Sequence, residues 1–327
     1  MAMKLLLLGG SGFVGPAIAA AAKAAGDDVI VAARSPADDA DRIVLDRTDP
    51  AAVRAIVDGQ DVDVVIDILA MTVAATAPLI AELANVNARY IMLSSADVYR
   101  NYGGLHGKSD VPPDPVPLAE DAPFRSNLYP YRGAALRSPR ADESWQDDYE
   151  KIEVEAAVRA SLPMATILRL PMVFGPRDPS RRFRWCLEPM LRGAPALTVD
   201  RAWADWRTSY AHVDNVGGAI VAAAHEPATS GRTFNLGNDL QLTQLDWAAR
   251  LAAELDWRGS IEAAPRSGTT TPPADRIASL DLAYDLFTDD ASFRQTTGYE
   301  DCLTFDETLG SVIAEERRLI AAKDKTA

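Results

Sequence analysis

Lys4-Leu5-Leu6-Leu7-Leu8-Gly9-Gly10-Ser11-Gly12-Phe13-Val14-Gly15 decides the fold of this 327-residue chain. Its apolar run shows no alternation, which describes a strand covered on both faces, as in a parallel sheet. Ala17 to Ala25 follows as a strong helix former, so the stretch reads as strand, tight glycine turn and helix. A backbone of this shape makes a dinucleotide pocket. Gly9 takes angles closed to residues with a Cβ, Gly12 lets a pyrophosphate come close, and Gly15 lets the helix pack on the strand. Ser11, Phe13 and Val14 complete the turn, where backbone N–H groups and the helix dipole attract anions without a basic side chain. The spacing is G-x-x-G-x-x-G rather than the commoner G-x-G-x-x-G. An ordinary strand-to-helix turn is the competing reading, and the flanking strand and helix weigh against it.

Working outward, the chain alternates strands and helices. Asp28 to Arg34 reads as the second strand, Ile43 to Asp46 as the third and Val62 to Leu69 as the fourth. A helix over Pro50 to Asp58 separates the last two, and a helix over Ala74 to Asn85 leads to a strand at Tyr90 to Leu93. Repeated β-α units with right-handed crossovers predict an α/β fold, a Rossmann-type doubly wound parallel sheet. Ligands then gather at the carboxyl ends of the strands.

Composition narrows the class. The chain carries 33 Lys plus Arg against 47 Asp plus Glu, a formal charge of -14, which repels a phosphate backbone and excludes nucleic acid as the expected partner. Cys186 and Cys302 form no metal-ligand cluster and read as reduced thiols of a cytoplasmic protein. The N-terminal apolar run is too short for a signal-peptide core or a membrane span, so no membrane role is expected.

The end of the second strand reads the cofactor. An acid there accepts from ribose hydroxyls, whereas arginine pairs with a 2′-phosphate. Ala33 is followed by Arg34, which favours NADP, with NAD as the alternative and a solvated surface charge as the plain reading. Asp46 has two readings of equal standing, an acceptor for the adenine amino group or a turn aspartate before Arg47-Thr48-Asp49-Pro50.

Five segments occur in a telling order: Gly9 to Gly15, Leu93-Ser94-Ser95-Ala96-Asp97-Val98-Tyr99, Leu168 to Pro176, Ala211-His212-Val213-Asp214-Asn215-Val216 and Phe234-Asn235-Leu236-Gly237. In that order the chain resembles the extended short-chain dehydrogenases/reductases, the NAD-dependent epimerase/dehydratase group, over nearly its whole length. The resemblance implies a catalytic serine, tyrosine and lysine. The tyrosine exchanges a proton with a substrate hydroxyl or carbonyl while hydride moves to or from the nicotinamide, and the lysine holds ribose and tunes the tyrosine. Ser95 takes the serine position. Asp97 matches an acidic residue of the family's dehydratases and is a second proton carrier on that reading, or a turn aspartate on the plainer one. Ala70, Pro171 and Val173 are expected to line the cofactor.

The tyrosine departs from the pattern. Tyr-x-x-x-Lys puts both side chains on one helix face, but Tyr149 lies only two residues before Lys151, and Asp147 occupies the position four before it. Glu155 follows Lys151 at the family's spacing. Residues two apart on a helix point to nearly opposite sides, so Tyr149 and Lys151 cooperate only if Tyr149 lies at or before the helix start, with Asp147 or Asp148 as cap. The stretch Phe124 to Gln146, in a region rich in proline and polar residues, reads as an insertion next to the cleft. From it Tyr129, Tyr131 and Arg132 either enter the pocket or pack within the loop.

The expected organisation is a dinucleotide-binding domain over 1–175 with about 205–237, and a smaller, discontinuous C-terminal substrate domain over 176–204 and 238–327. Helices at Gln244 to Leu255 and Thr304 to Ala321 close it, and Thr269 to Pro273 is its one linker-like stretch. Arg177, Arg181, Arg182, Arg184, Arg192, Arg201 and Arg207 suit a polar or anionic small-molecule substrate such as a nucleotide-linked sugar. Trp185, Trp203 and Trp206 read as core, and His212 as an anchor. The function expected is an NADP(H)-dependent oxidoreductase, epimerase or dehydratase acting on a hydroxyl or carbonyl carbon. A regulatory or scaffold protein that binds NADP without turnover is the alternative. A homodimer is the assembly envisaged.

Overall fold

A computed structural model describes residues 2–35, 41–133, 144–238, 240–266 and 277–325. At its centre lies β1 (Lys4–Leu8), in which Leu5, Leu6, Leu7 and Leu8 are all fully buried. The absence of alternation has a direct cause. Leu5 and Leu7 enter the apolar cluster on one face of the sheet, and Leu6 and Leu8 the cluster on the other. Burying each leucine contributes about 1.5–3 kcal/mol, so this one strand ties both layers together.

Among the described residues the main sheet has seven strands, ordered β10-β6-β5-β4-β1-β2-β3, and every neighbouring pair is parallel. These are β2 (Asp28–Ala33), β3 (Arg42–Val44), β4 (Val64–Asp67), β5 (Arg89–Ser95), β6 (Thr166–Leu170) and β10 (Thr233–Asn235) with β1. The order reverses between β1 and β4, which opens a crevice above Leu8 and Asp67, paired in register. One face is covered by α1 (Gly15–Ala24) and α8 (Val213–His225), the other by α2 (Pro50–Gly59), α3 (Val73–Glu82) and α5 (Lys151–Ser161). At Gly217 of α8 a Cβ would lie 2.7 Å from the Ala17 carbonyl, so a residue without one is what lets α8 close on α1.

A second core holds Phe174, Phe183, Trp185, Trp203, Trp206, Tyr210 and Trp247. Trp203 stacks on Trp206 with ring centroids 5.3 Å apart, and Trp206 Nε1 donates to the Tyr284 carbonyl at 2.9 Å. All three tryptophans at 185, 203 and 206 therefore fill the core. This lobe contains α6 (Arg184–Leu191), α7 (Arg201–Asp205), α9 (Gln244–Glu254) and α11 (Phe305–Asp324), and Leu105 of α4 (Arg100–Leu105) packs into it. It also has two small parallel pairs: β8 (Ala196–Asp200) with β11 (Ser260–Ala264), and β7 (Met172–Phe174) with β9 (Tyr210–His212). Thr243 with Asp246 and Thr304 with Glu307 form capping boxes that start α9 and α11.

Several boundaries differ from the sequence expectation. β3 ends at Val44, so Asp46 lies beyond the strand, and β5 runs on to Ser95. Pro171 separates β6 from β7, which leaves the main sheet to pair with β9. The helix α10 (Ala291–Thr297) lies in the stretch expected for the substrate domain, yet its Phe293 packs into the sheet cluster. Thr269 to Pro273 lies outside the described residues. No helix among those described is long and apolar enough to cross a membrane.

Candidate active site

The glycine turn leaves β1 at the crevice. Gly9 has φ +88°, and a Cβ there would sit 2.4 Å from the Leu69 side chain. At Gly15 a Cβ would come within 2.2 Å of the Gly10 carbonyl oxygen, whereas at Gly12 it would meet only the Gly9 carbonyl, at 3.7 Å. Gly15 thus serves packing, and Gly12 keeps the approach to the turn open. No side chain caps the N-terminus of α1, so its N–H groups are free of the usual Ser, Thr or Asp acceptor. An uncapped helix end behind an open glycine turn fits the pyrophosphate of a dinucleotide.

Beside it, β5 delivers Ser94 and Ser95 to its carboxyl edge. Ser95 Oγ accepts from the Asp97 N–H at 3.1 Å, which turns the chain into a single 3₁₀ turn (Ala96–Val98) and buries Asp97. The Asp97 Oδ2 accepts from the Tyr149 hydroxyl at 2.7 Å and from Tyr131 at 3.3 Å. Tyr131 also shares a 2.8 Å contact with the Tyr102 hydroxyl and meets the Tyr149 ring edge-on at 5.0 Å. Asp97 Oδ1 is buried with no hydrogen-bond partner among the described residues.

Tyr149 reaches Asp97 because it is not helical. α5 begins at Lys151 and is capped by Glu150, whose Oε1 accepts from the Ile152 N–H at 2.9 Å. The cap expected at Asp147 or Asp148 is corrected accordingly: both lie in a separate 3₁₀ segment (Ser144–Asp148), because Arg125 holds the Glu150 carboxylate at the helix start. That ion pair is bidentate at 2.8 Å and closed to solvent on both sides, and Arg125 Nε donates to the Asp97 carbonyl. Tyr149 therefore lies before the helix, with extended Glu150 between it and Lys151, and two-residue spacing no longer sends it away from Lys151. The clearest partner missed from sequence is Arg125, whose match to Glu150 lies 25 residues off.

Lys151 is buried and donates to the carbonyls of Ala70 and Leu93, both at 2.8 Å. Its ammonium lies 5.9 Å from the Tyr149 ring centroid. Glu155 is bound by Ser94 and by a bidentate pair with Arg169 at 3.0 and 2.7 Å, an arrangement that holds β5, β6 and α5 in place. Burial brings the Lys151 ammonium down to about 8. Burial also pushes the Asp97 carboxyl up, against Arg125 and the Tyr149 hydrogen bond. The Tyr149 phenol is raised well above its ordinary value, first by burial and then by Asp97, with Ser95 pulling the other way.

A cavity of about 480 Å³ joins these groups to the glycine turn. Phe13 and Val14 line it with Ser95, Tyr131, Trp145, Tyr149, Lys151, Pro171, Val173 and Arg182. Of the insertion, Tyr131 enters; Tyr129 instead donates to Glu153 at 2.7 Å and lies under Arg132. Most of the arginines singled out for an anionic substrate are engaged elsewhere. Arg181 pairs with Glu316, Arg184 with Glu188, Arg192 with Glu188 and Asp324, and Arg207 with Asp285, while Arg201 donates to the Ala263 carbonyl. Arg182 faces the cavity and, among the described residues, pairs with Asp178 at 3.9 Å.

Asp46 is exposed and accepts from the backbone and hydroxyl of Thr48, at 2.9 and 2.8 Å. Those bonds hold its carboxyl below the ordinary range, with a smaller contribution from the Arg34 charge. Arg34 is itself exposed. His212 Nε2 contacts Ser311 Oγ at 2.8 Å and Nδ1 caps α8, an anchoring role.

The NAD dependent epimerase/dehydratase family matches residues 5–237. The chain belongs to that family. No curated protein matches it in sequence. Among solved structures, a UDP-glucose-4-epimerase from Stenotrophomonas maltophila with bound NAD and formylated UDP-arabinopyranose is similar at 17% identity and a TM-score of 0.70, covering 98% of this chain and 99% of that one. A short-chain dehydrogenase/reductase superfamily protein from Agrobacterium tumefaciens with bound NAD reaches 18% and 0.67, over 98% and 99%. A UDP-glucuronic acid 4-epimerase from Bacillus cereus, in complex with UDP-glucuronic acid and NAD, reaches 17% and 0.65, over 97% and 100%. Identities this low establish the shared fold, and this family member's chemistry has to be read from its own side chains.

Proposed function

We propose that this epimerase/dehydratase-family enzyme acts on a hydroxyl or carbonyl carbon of a nucleotide-linked sugar or a similar polar substrate, as an NADP(H)-dependent oxidoreductase, epimerase or dehydratase. The observation that carries the reading is the 2.7 Å hydrogen bond to buried Asp97 from Tyr149, which lines the cavity with Phe13 and Val14 of the glycine turn. Bound nicotinamide supplies the site with a hydride acceptor or donor. Ser95 holds the substrate oxygen and Tyr149 moves its proton. A phenol raised this far stays protonated and can accept the substrate's proton only by giving up its own, so Tyr149 passes its proton to Asp97 as it takes one from the substrate. Burial strengthens Asp97 for that task. Lys151 reaches for ribose hydroxyls from its two carbonyl anchors, Pro171 and Val173 flank the nicotinamide, and Tyr131 and Trp145 exclude water.

The nucleotide-sugar part of the reading is supported by the UDP-sugars bound in the structural neighbours and by Arg182 in the cavity wall. A domain division near residue 175 and a reducing cytoplasm, in keeping with two unpaired cysteines, belong to the same proposal. The regulatory alternative has no need of a buried tyrosine–carboxylate pair at the cavity. Tyr149→Phe is the test, with a panel of UDP-sugars as substrates. Turnover is expected to fall by about 10²–10⁴ while cofactor affinity, followed by nicotinamide fluorescence, stays within about twofold. Unchanged turnover removes Tyr149 from the mechanism.

A further inference from the structure

A carboxylate that takes a proton in each turnover has to lose it again, and Asp97 has no direct way to do so. It is buried and absent from the cavity wall. Among the described residues its Oδ1 has no partner, and Arg125 meets it at the backbone carbonyl. Lys151 and Glu150, whose charges also act on the carboxyl, are bonded elsewhere, to the Ala70 and Leu93 carbonyls and to Arg125. Two hydroxyls remain on Oδ2, Tyr149 at 2.7 Å and Tyr131 at 3.3 Å. The first is engaged by the substrate during turnover. The second leads away: the Tyr131 oxygen lies 2.8 Å from the Tyr102 hydroxyl of α4, where either can donate, and both tyrosines are only partly buried. The segment that carries Tyr131 is fastened on both sides of it. The Tyr129 N–H donates to Glu150 at 2.6 Å and its hydroxyl to Glu153, while Arg132 reaches the Asp147 carbonyl at 2.9 Å and the Asp148 carboxylate at 3.1 Å.

We propose that Tyr131 and Tyr102 form the outlet through which the Asp97 proton reaches solvent. The proposal rests on the reading that Asp97 takes the Tyr149 proton, and it gives the insertion a chemical task. Oxidising a substrate hydroxyl to a carbonyl releases a hydride to the nicotinamide and a proton to Tyr149, whose own proton passes to Asp97. With Asp97 ionised, Tyr131 donates to it and Tyr102 donates to Tyr131. Once Asp97 is protonated the two hydroxyls turn outwards. Asp97 then gives its proton to the Tyr131 oxygen, the Tyr131 proton moves to the Tyr102 oxygen, and the Tyr102 proton goes to a solvent water. Each phenol accepts one proton as it gives one, so no phenolate forms and the high proton affinity of both rings is no obstacle. The transfer leaves Asp97 ionised and both hydroxyls pointing inwards, ready for the next turnover.

The first test needs no substrate. Infrared spectroscopy of the full-length protein follows the carboxylic-acid stretch that Asp97→Asn removes, and an upward pH jump times its loss. Tyr149→Phe serves as the background, because it closes the route through the cavity. Adding Tyr131→Phe or Tyr102→Phe is expected to slow proton release by about tenfold or more, with unshifted melting curves verifying that the variants fold. Equal rates in all of them overturn the outlet, and slowing by Tyr131→Phe alone overturns the Tyr102 step. The second test uses the UDP-sugar panel with Tyr149 intact. In Tyr131→Phe and Tyr102→Phe the first turnover is expected to keep its wild-type rate while later ones slow by about tenfold, since Asp97 fills once and empties late. A first turnover slowed as much as the rest gives Tyr131 a purely structural part and overturns the proposal. Should no acid stretch titrate at any pH at which the protein is folded, Asp97 takes no proton and the outlet fails with that step. Should no UDP-sugar be turned over, the substrate reading fails, while the infrared rates still decide the outlet.

Discussion

At the scale of single residues, the chemistry turns on how Asp97 and Tyr149 share a proton. Burial raises the Asp97 carboxyl above the usual aspartate value of 3.8, yet proton acceptance requires it ionised. Turnover in the oxidative direction should therefore fall as pH drops through the Asp97 pKa, which lies higher than for an exposed carboxylate. Asp97→Asn keeps the shape and removes the acceptor. Its kcat is expected to drop by about 10² and the acidic limb of the pH profile to disappear; a retained limb with full activity would show that Asp97 only closes the 3₁₀ turn. The sequence exposed Ser95, Tyr149 and Lys151 as candidates through their order along the chain. It did not pair Tyr149 with Asp97, because that contact spans 52 residues and depends on where α5 starts.

At the scale of elements, two local devices place these side chains. Glu150 ends the irregular chain and begins α5, and Arg125 locks it there, so the tyrosine projects from the non-helical chain before the cap and the lysine from the first helical turn. Gly15 does the corresponding work at α1. A Cβ at this position would overlap the Gly10 carbonyl, and backbone cannot swing aside as a side chain can. Gly15→Ala is expected to cost about 1–3 kcal/mol and to weaken dinucleotide binding at the displaced turn, measured by chemical denaturation and cofactor titration. A fully stable variant with unaltered binding would show that the turn relaxes freely. The glycine spacing was legible because it is local; the α5 cap was not, since Glu150 gained its role only from an arginine on a distant loop.

At the scale of the whole molecule, burial of Lys151 between the sheet and α5 couples its charge to global unfolding. Its pKa is held at about 8 in the fold, against 10.5 for the ordinary side chain. Between these values the unfolded chain binds more protons than the folded one, so this lysine's contribution to stability rises with pH across that window and is least favourable below about 8. Lys151→Met is expected to remove that slope from melting curves recorded from neutral to alkaline pH. An identical slope in both proteins would mean the ammonium is solvated.

The sequence by itself determined the parallel α/β architecture, the glycine turn and the order of the family's segments, because strand burial, helix propensity and glycine geometry act over a few residues. Tertiary structure decided what those parts do together. It brought Tyr131 and Tyr149 onto one carboxylate, paired Arg181, Arg192 and Arg207 with distant acids, and left Arg182 facing the cavity. Charge is listed in a sequence residue by residue, but whether a charge is spent within the fold or left for a ligand depends on long-range neighbours, and only folding chooses those.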